Sequence, residues 1–235
     1  MYHIYCDFDA TVTVNDVWDT LFRHFGEPSA FTVWEKFNTG EYPRAAQCIT
    51  EACETVKNVD AAKMKAMFAA EPLRPGFLDF IDFCKESGLK ITIVSDGFSL
   101  YIEPIFKQNG VDIPYYANKV ELTEAGTLSV EFQHARESCR FCGACKCGTI
   151  LSTSADEDTI VYIGDGYSDH CPVEISDVVF ARDMLSKFCS KQGIPYHPFE
   201  DFYQVKDILK NYLKDRPKYK RLEAKKKRQK LFEIE

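Results

Sequence analysis

Three runs of the chain are apolar almost without interruption, and each breaks off on acidic or hydroxyl-bearing residues. They are "YHIYCDF" (2–8), "LKITIVSDG" (89–97) and "DTIVYIGDG" (158–166). A strand with one wet face alternates apolar and polar residues. A continuous β-branched run marks a strand covered on both faces, as in parallel sheets. "DVVFAR" (177–182) predicts a fourth, shorter strand. Helical spacing fills the intervals, as in "GFLDFIDFCKESG" (76–88) and "LYIEPIFKQNG" (100–110), each closing on a glycine suited to a helix end. Strands alternating with helices predict an α/β fold, a Rossmann-like parallel sheet with helices on both faces. Ligands of such sheets gather beyond the carboxyl ends of the strands, where these polar residues would meet.

Residues 14–75 are too many for a single crossover helix. Helices are predicted over 15–25, 29–39, 42–56 and 60–70, with Asn15 or Asp16, Ser29 and Asp60 placed as N-caps. The expected organisation is a core of 1–13 and 76–213, an inserted α-helical cap subdomain of 14–75, and a basic C-terminal helix or tail of 214–235. "NKVELTEAGTLSVEFQ" (118–133) predicts a small β-hairpin. The cap aromatics, among them Trp18, Phe22, Trp34 and Phe37, read as packing. Asn15, Asp16, Arg23 and Arg44 are the polar candidates for touching a substrate.

Composition narrows the classes. With 45% apolar residues in 235, the chain can bury a core of its own. No run reaches the roughly 18 apolar residues of a membrane helix, and no secretion signal is visible, so a cytoplasmic protein off the membrane is expected. In that reducing setting ten cysteines argue against a disulfide framework. The net charge of −7 is uneven: residues 206–235 hold 12 Lys/Arg and 5 Asp/Glu, leaving −14 on the rest. That basic end lacks the aromatic interleaving of a single-strand nucleic-acid binder and reads as a solvated helix, so no nucleic-acid partner is expected. Oligomeric state is not legible.

Asp7 and Asp9 in "CDFDATVT" pose an electrostatic problem, because two close carboxylates leaving water need compensation. A cation and a phosphate ester would supply it. One carboxylate can attack phosphorus and the other can serve as acid and base. Mg²⁺ needs only one or two carboxylates besides phosphate and water. The other strand ends offer the remaining parts: Ser95, Asp96 and Gly97 for the phosphate, Asp165 and Asp169 of "GDGYSD" for the cation, and Lys146 as a compact positive charge.

In this order the motifs resemble those of the haloacid dehalogenase superfamily: "DFDATVT" the first, "VSDG" the second, Lys146 the third and "GDGYSD" the fourth. The resemblance implies a Mg²⁺-dependent phosphatase acting on a small phosphorylated metabolite through an aspartyl-phosphate intermediate. It makes Asp7 the nucleophile and Asp9 the acid/base. It also places Ser95 and Lys146 on the phosphate, and Asp7, Asp9 (through its backbone carbonyl), Asp165 and Asp169 on the metal. "CRFCGACKCG" and "VVFARDMLSKFCSKQGIPYHPFEDFYQVKDIL" are similar to methionine-salvage phosphatases acting on 2-hydroxy-3-keto-5-methylthiopentenyl-1-phosphate. The helical insertion also resembles that of phosphoserine phosphatases. Phosphoserine, phosphocholine or phosphoethanolamine are the alternative substrates. A phosphotransferase, or a regulatory protein that keeps the fold without turnover, are the other readings. Superfamily members usually carry glycine where Ala10 stands, and a positive φ there would strain alanine by about 1–2 kcal/mol.

Cys139, Cys142, Cys145 and Cys147 follow a C-x₂-C-x₂-C-x-C spacing. Four thiolates could hold a structural Zn²⁺. Reduced thiols or a regulatory disulfide are the alternatives. The other cysteines sit in apolar contexts and read as small core residues.

Overall fold

A computed structural model describes residues 1–215 and 220–233, so residues 216–219 and 234–235 of the basic tail lie outside the described residues. Two compact units emerge, Met1–Asp7 with Leu73–Val94 and Lys146–Glu235, and Phe8–Pro72 with Ser95–Cys145. The strands are β1 (Tyr2–Cys6), β2 (Lys90–Phe98), β3 (Tyr115–Leu122), β4 (Leu128–Glu131), β5 (Thr159–Gly164), β6 (Val178–Ala181) and β7 (His197–Pro198). The helices are α1 (Val17–Phe25), α2 (Val33–Asn38), α3 (Ala45–Glu54), α4 (Ala61–Ala69), α5 (Phe77–Glu86), α6 (Ser99–Gln108), α7 (Lys146–Thr153), α8 (His170–Ile175), α9 (Asp183–Gln192), α10 (Phe202–Asp215) and α11 (Leu222–Glu233).

In the first unit the strands run parallel in the order β2-β1-β5-β6-β7. Tyr5, Tyr162 and Val179 are register partners across three strands. They enter one cluster with Ile150 and Leu151 of α7, Val173 of α8, and Leu185 and Cys189 of α9. A second, aromatic group joins Phe77 and Phe80 of α5 to Phe202 of α10, with centroids 4.9 and 5.4 Å apart. The continuous apolar runs are thus buried as parallel strands should be. They fix the level at which each strand ends.

The basic helix α11 departs from the expected solvated tail. Arg221 donates to the carbonyls of Val173 (2.9 Å) and Ser176 (3.0 Å). Arg228 reaches the Ile175 carbonyl and pairs with Asp177 at 3.2 Å. The last carbonyls of a helix have no intrahelical donors and carry partial negative charge. The two guanidiniums supply those donors to α8, which is why this face of α11 docks.

In the second unit Asp16 caps α1 by accepting from Asp19 N–H (2.9 Å), and Asp60 caps α4 through Ala62 N–H (2.8 Å). The helix expected over 29–39 is instead a 3-10 turn, Pro28–Phe31, followed by α2, and Ser29 lies within the turn. Trp18 packs on Phe22 at 4.3 Å and faces Trp34 at 6.2 Å. β3 and β4 form the expected antiparallel hairpin, with Val120 opposite Val130.

Candidate active site

Asp7 directly follows β1, and its N–H bonds the Ile163 carbonyl of β5 at 2.9 Å. Asp165 follows β5. Asp169 ends the 3-10 turn Tyr167–Asp169 ahead of α8. One carboxylate oxygen of each of Asp7, Asp165 and Asp169 lies within 4.8 Å of the others. Lys146, the first residue of α7, donates to Asp7 Oδ1 at 2.7 Å and Asp169 Oδ1 at 2.6 Å, with its side chain only 1% exposed. Asp169 is fully buried. It also accepts from Tyr162 OH (2.6 Å) and from the N–H groups of Asp165 and Gly166 (both 2.9 Å). A Cβ at Gly164 would come within 2.5 Å of Asp169 Oδ2, so this close approach requires glycine.

The charges here do not cancel: three carboxylates face one ammonium. Burial, then the neighbouring Asp169, push the Asp7 carboxyl well above its ordinary value, against the pull of Lys146. Burial disfavours the Lys146 charge, yet Asp169 and Asp7 outweigh it and hold the amine protonated. A divalent cation among the three carboxylates would relieve the surplus negative charge, and this all-oxygen donor set fits Mg²⁺.

In the second unit Asp9 is held from two sides. Its Oδ1 accepts from Val17 N–H (3.1 Å) and Trp18 N–H (3.3 Å) at the start of α1, a favourable place for an anion. Its Oδ2 accepts from Tyr101 OH at 2.8 Å and from Ser95 Oγ at 3.3 Å. Tyr101 is fully buried, and burial followed by the Asp9 charge keeps its phenol protonated. Gly97 N–H bonds Ser95 Oγ at 2.9 Å, and a Cβ on Gly97 would lie 1.9 Å from Tyr101 OH. Ala10, next in the chain, adopts φ 54. Its N–H is bound by Asn15 O (3.1 Å) and Thr13 Oγ1 (3.2 Å).

The other predicted residues are placed as follows. The Asp96 carboxylate accepts from Gly143 N–H (2.7 Å), Ala144 N–H (2.9 Å) and Asn118 Nδ2 (3.2 Å), so it anchors a loop. Asn15 bonds Glu71 (3.0 Å) and Asp16 caps α1. Arg23 pairs with Asp19 and lies over Phe31, and Arg44 donates to the Glu137 carbonyl at 2.7 Å. The carboxylate oxygens of Asp9 are not part of the three-aspartate group. Cys139 collects hydrogen bonds from the Cys142 and Cys145 thiols and from the Phe141 and Cys142 N–H groups, which hold its thiol far below the ordinary range. Cys147 packs against the core of the first unit. Among the described residues, the group of three or more metal-ligating side chains with ligand atoms within 4.8 Å of one another is Asp7, Asp165 and Asp169. Cys147 stands one residue beyond Lys146 on α7, and the helix carries it to the apolar side.

Sequence reasoning overlooked Tyr162, Tyr101 and Asn118. Tyr162 lies two residues before Gly164 on the same strand, and Tyr101 lies four residues past Gly97, in the first turn of α6. A polar ring in an otherwise aliphatic run was the available signal.

A carboxylate cage at parallel-strand ends, with a buried lysine beside it, defines a phosphate-ester hydrolase on an α/β sheet. The protein is a phosphatase. Residues 2–194 match the family model described as "Putative Phosphatase", and the chain belongs to that family. It is 30% identical to the 2-hydroxy-3-keto-5-methylthiopentenyl-1-phosphate phosphatase of Exiguobacterium sibiricum, covering 88% of this chain and 95% of that one. With the enzyme of that name from Bacillus velezensis it shares 28% identity, over 88% and 89% of the two chains. Among solved structures it resembles the phosphoserine phosphatase of T. onnurineus, with a TM-score of 0.66, 17% identity, and 89% and 94% coverage. A phospho-aspartyl intermediate analogue of a phosphoserine phosphatase superposes with a TM-score of 0.65 at 20% identity, over 87% of this chain and 96% of that one.

Proposed function

We propose that the protein hydrolyses a small phosphate monoester with Asp7 as nucleophile and Asp9 as acid and base. The substrate is of the 2-hydroxy-3-keto-5-methylthiopentenyl-1-phosphate type named for its curated relatives. The observation that carries this reading is the bridge of Lys146 between Asp7 and Asp169, beside a carboxylate group that calls for a cation. An Asp7 oxygen attacks phosphorus and forms an acyl phosphate while the bond from phosphorus to the ester oxygen breaks. Asp9 delivers its proton to that departing oxygen. Asp9 then takes a proton from water, whose oxygen attacks the same phosphorus and frees phosphate and Asp7. Lys146 keeps Asp7 aimed and offsets charge building on the phosphoryl group. Mg²⁺, held by Asp7, Asp165 and Asp169, would neutralise phosphoryl oxygens. Ser95, whose hydroxyl lies between Gly97 N–H and Asp9, is the phosphate-binding hydroxyl of this scheme.

Phosphate release is to be measured over a panel of metabolites with Mg²⁺, including phosphoserine, phosphocholine and phosphoethanolamine. Wild type should turn over the methylthiopentenyl ester fastest. Asp7→Asn should remove turnover of every ester. Turnover that survives that substitution would falsify the covalent mechanism, and preference for another ester would replace the substrate.

A further inference from the structure

We propose that Tyr101 is a positioning residue of the reaction, presenting Asp9 Oδ2 as the oxygen through which the proton moves. That role rests on the acid and base chemistry proposed above for Asp9. A carboxylate offers two lone-pair directions on each oxygen. On Oδ1 they are met by Val17 N–H (3.1 Å) and Trp18 N–H (3.3 Å) at the start of α1. An oxygen facing two amide protons is badly placed to carry a third, so Oδ2 is the one that carries the transferable proton. Two hydroxyls face Oδ2: Tyr101 OH at 2.8 Å and Ser95 Oγ at 3.3 Å.

These two hydroxyls are not equivalent. Ser95 Oγ accepts from Gly97 N–H at 2.9 Å and has a single proton to donate. Once that proton turns to a phosphate oxygen, the direction it held on Oδ2 opens on the side of the phosphate. Tyr101 stays in place. It is fully buried in the first turn of α6, with its ring 6.0 Å from that of Phe8, 5.7 Å from Phe68 and 5.8 Å from Phe98. A Cβ at Gly97 would lie 1.9 Å from Tyr101 OH and 2.3 Å from Asp9 Oδ2, so glycine there leaves room for their contact. Without the phenol the carboxyl pivots about its Oδ1 tether, and Oδ2 strays from the line of proton transfer, where small misplacements are costly.

Tyr101→Phe deletes one oxygen and keeps the ring in its aromatic surroundings. Two esters are to be assayed with Mg²⁺: the fastest alkyl ester of the panel, whose alkoxide must be protonated to leave, and p-nitrophenyl phosphate, whose phenolate leaves without a proton. The ratio kcat/KM covers the steps up to the acyl phosphate. For the alkyl ester it should fall about tenfold, the worth of one hydrogen bond to a charged group. For p-nitrophenyl phosphate it should stay within about twofold of wild type, which doubles as the check that the variant is folded. The kcat of both esters should fall, since Asp9 must still take a proton from water. In an Asp9→Asn background the same substitution should slow neither ester further, because the two residues act as one unit. Equal losses of kcat/KM for the two esters, no loss for either, or an added loss in the Asp9→Asn background would each overturn the role and leave Tyr101 a packing residue. Wild-type rates in Asp9→Asn alone would instead bring down the assignment of Asp9, and this role with it.

Discussion

Ala10 holds φ 54 directly after Asp9, where the left-handed region crowds a Cβ. Hydrogen bonds from its N–H to Asn15 and Thr13 hold the turn in place, so the strain is borne by the surrounding contacts. Glycine would remove about 1–2 kcal/mol of strain but restore about 0.5–1 kcal/mol of unfolded-state entropy. Ala10→Gly should therefore raise stability by about 0.5–1 kcal/mol, seen as a rise of about 1–3 °C in Tm by calorimetry. An unchanged or lower Tm would mean that the turn relaxes without strain. At the same scale, Gly97 and Gly164 are dictated by contact: any Cβ there collides with Tyr101 and Asp169 respectively.

At the scale of elements, α11 ties a basic segment to the end of α8. Arg228 is 9% exposed and faces Asp177, whose side chain is 2% exposed. Removing one member of a buried pair leaves the other charge uncompensated and removes a donor from the Ile175 carbonyl. Such losses run to about 3–5 kcal/mol. Arg228→Ala should lower the urea midpoint accordingly, whereas Lys226→Ala, on an exposed position of the same helix, should shift it by less than about 0.5 kcal/mol. Equal effects of the two would return the tail to the status of a solvated helix. The pattern of lysines and arginines along 220–230 does not distinguish these positions. Only the carbonyls of Val173, Ile175 and Ser176 select Arg221 and Arg228 from their basic neighbours.

For the molecule as a whole, the buried carboxylates couple folding to cation and proton. Burial and the adjacent Asp169 hold the folded Asp7 carboxyl above its unfolded value. Without a cation, stability is then lost as pH rises from the unfolded toward the folded value, because over that window the unfolded carboxyl ionises while the folded one keeps its proton. Mg²⁺ offsets that loss, and below the same value protons compete with it. The rise in Tm on adding Mg²⁺ should grow as pH is raised from 5 to 8. At a hundredfold excess over Kd it should correspond to about 2.7 kcal/mol, roughly 5–10 °C for a chain of this size. Asp165→Asn should shrink it. A rise that is independent of pH would remove Asp7 from the cation group.

The apolar runs by themselves determined the parallel strands, because a strand buried on both faces favours apolar residues throughout, and the buried polar exceptions His3 and Thr92 bond each other at 2.9 Å. The strand-end motifs determined which carboxylates were candidates, because only strand ends can present charge in such a sheet. The partners had to come from the tertiary structure. Lys146 meets Asp7 at a sequence separation of 139, and Tyr101 meets Asp9 at a separation of 92. Hydrogen bonds and ion pairs act over about 3 Å of space. Separation along the chain does not set that distance; the packing of helices on the sheet does.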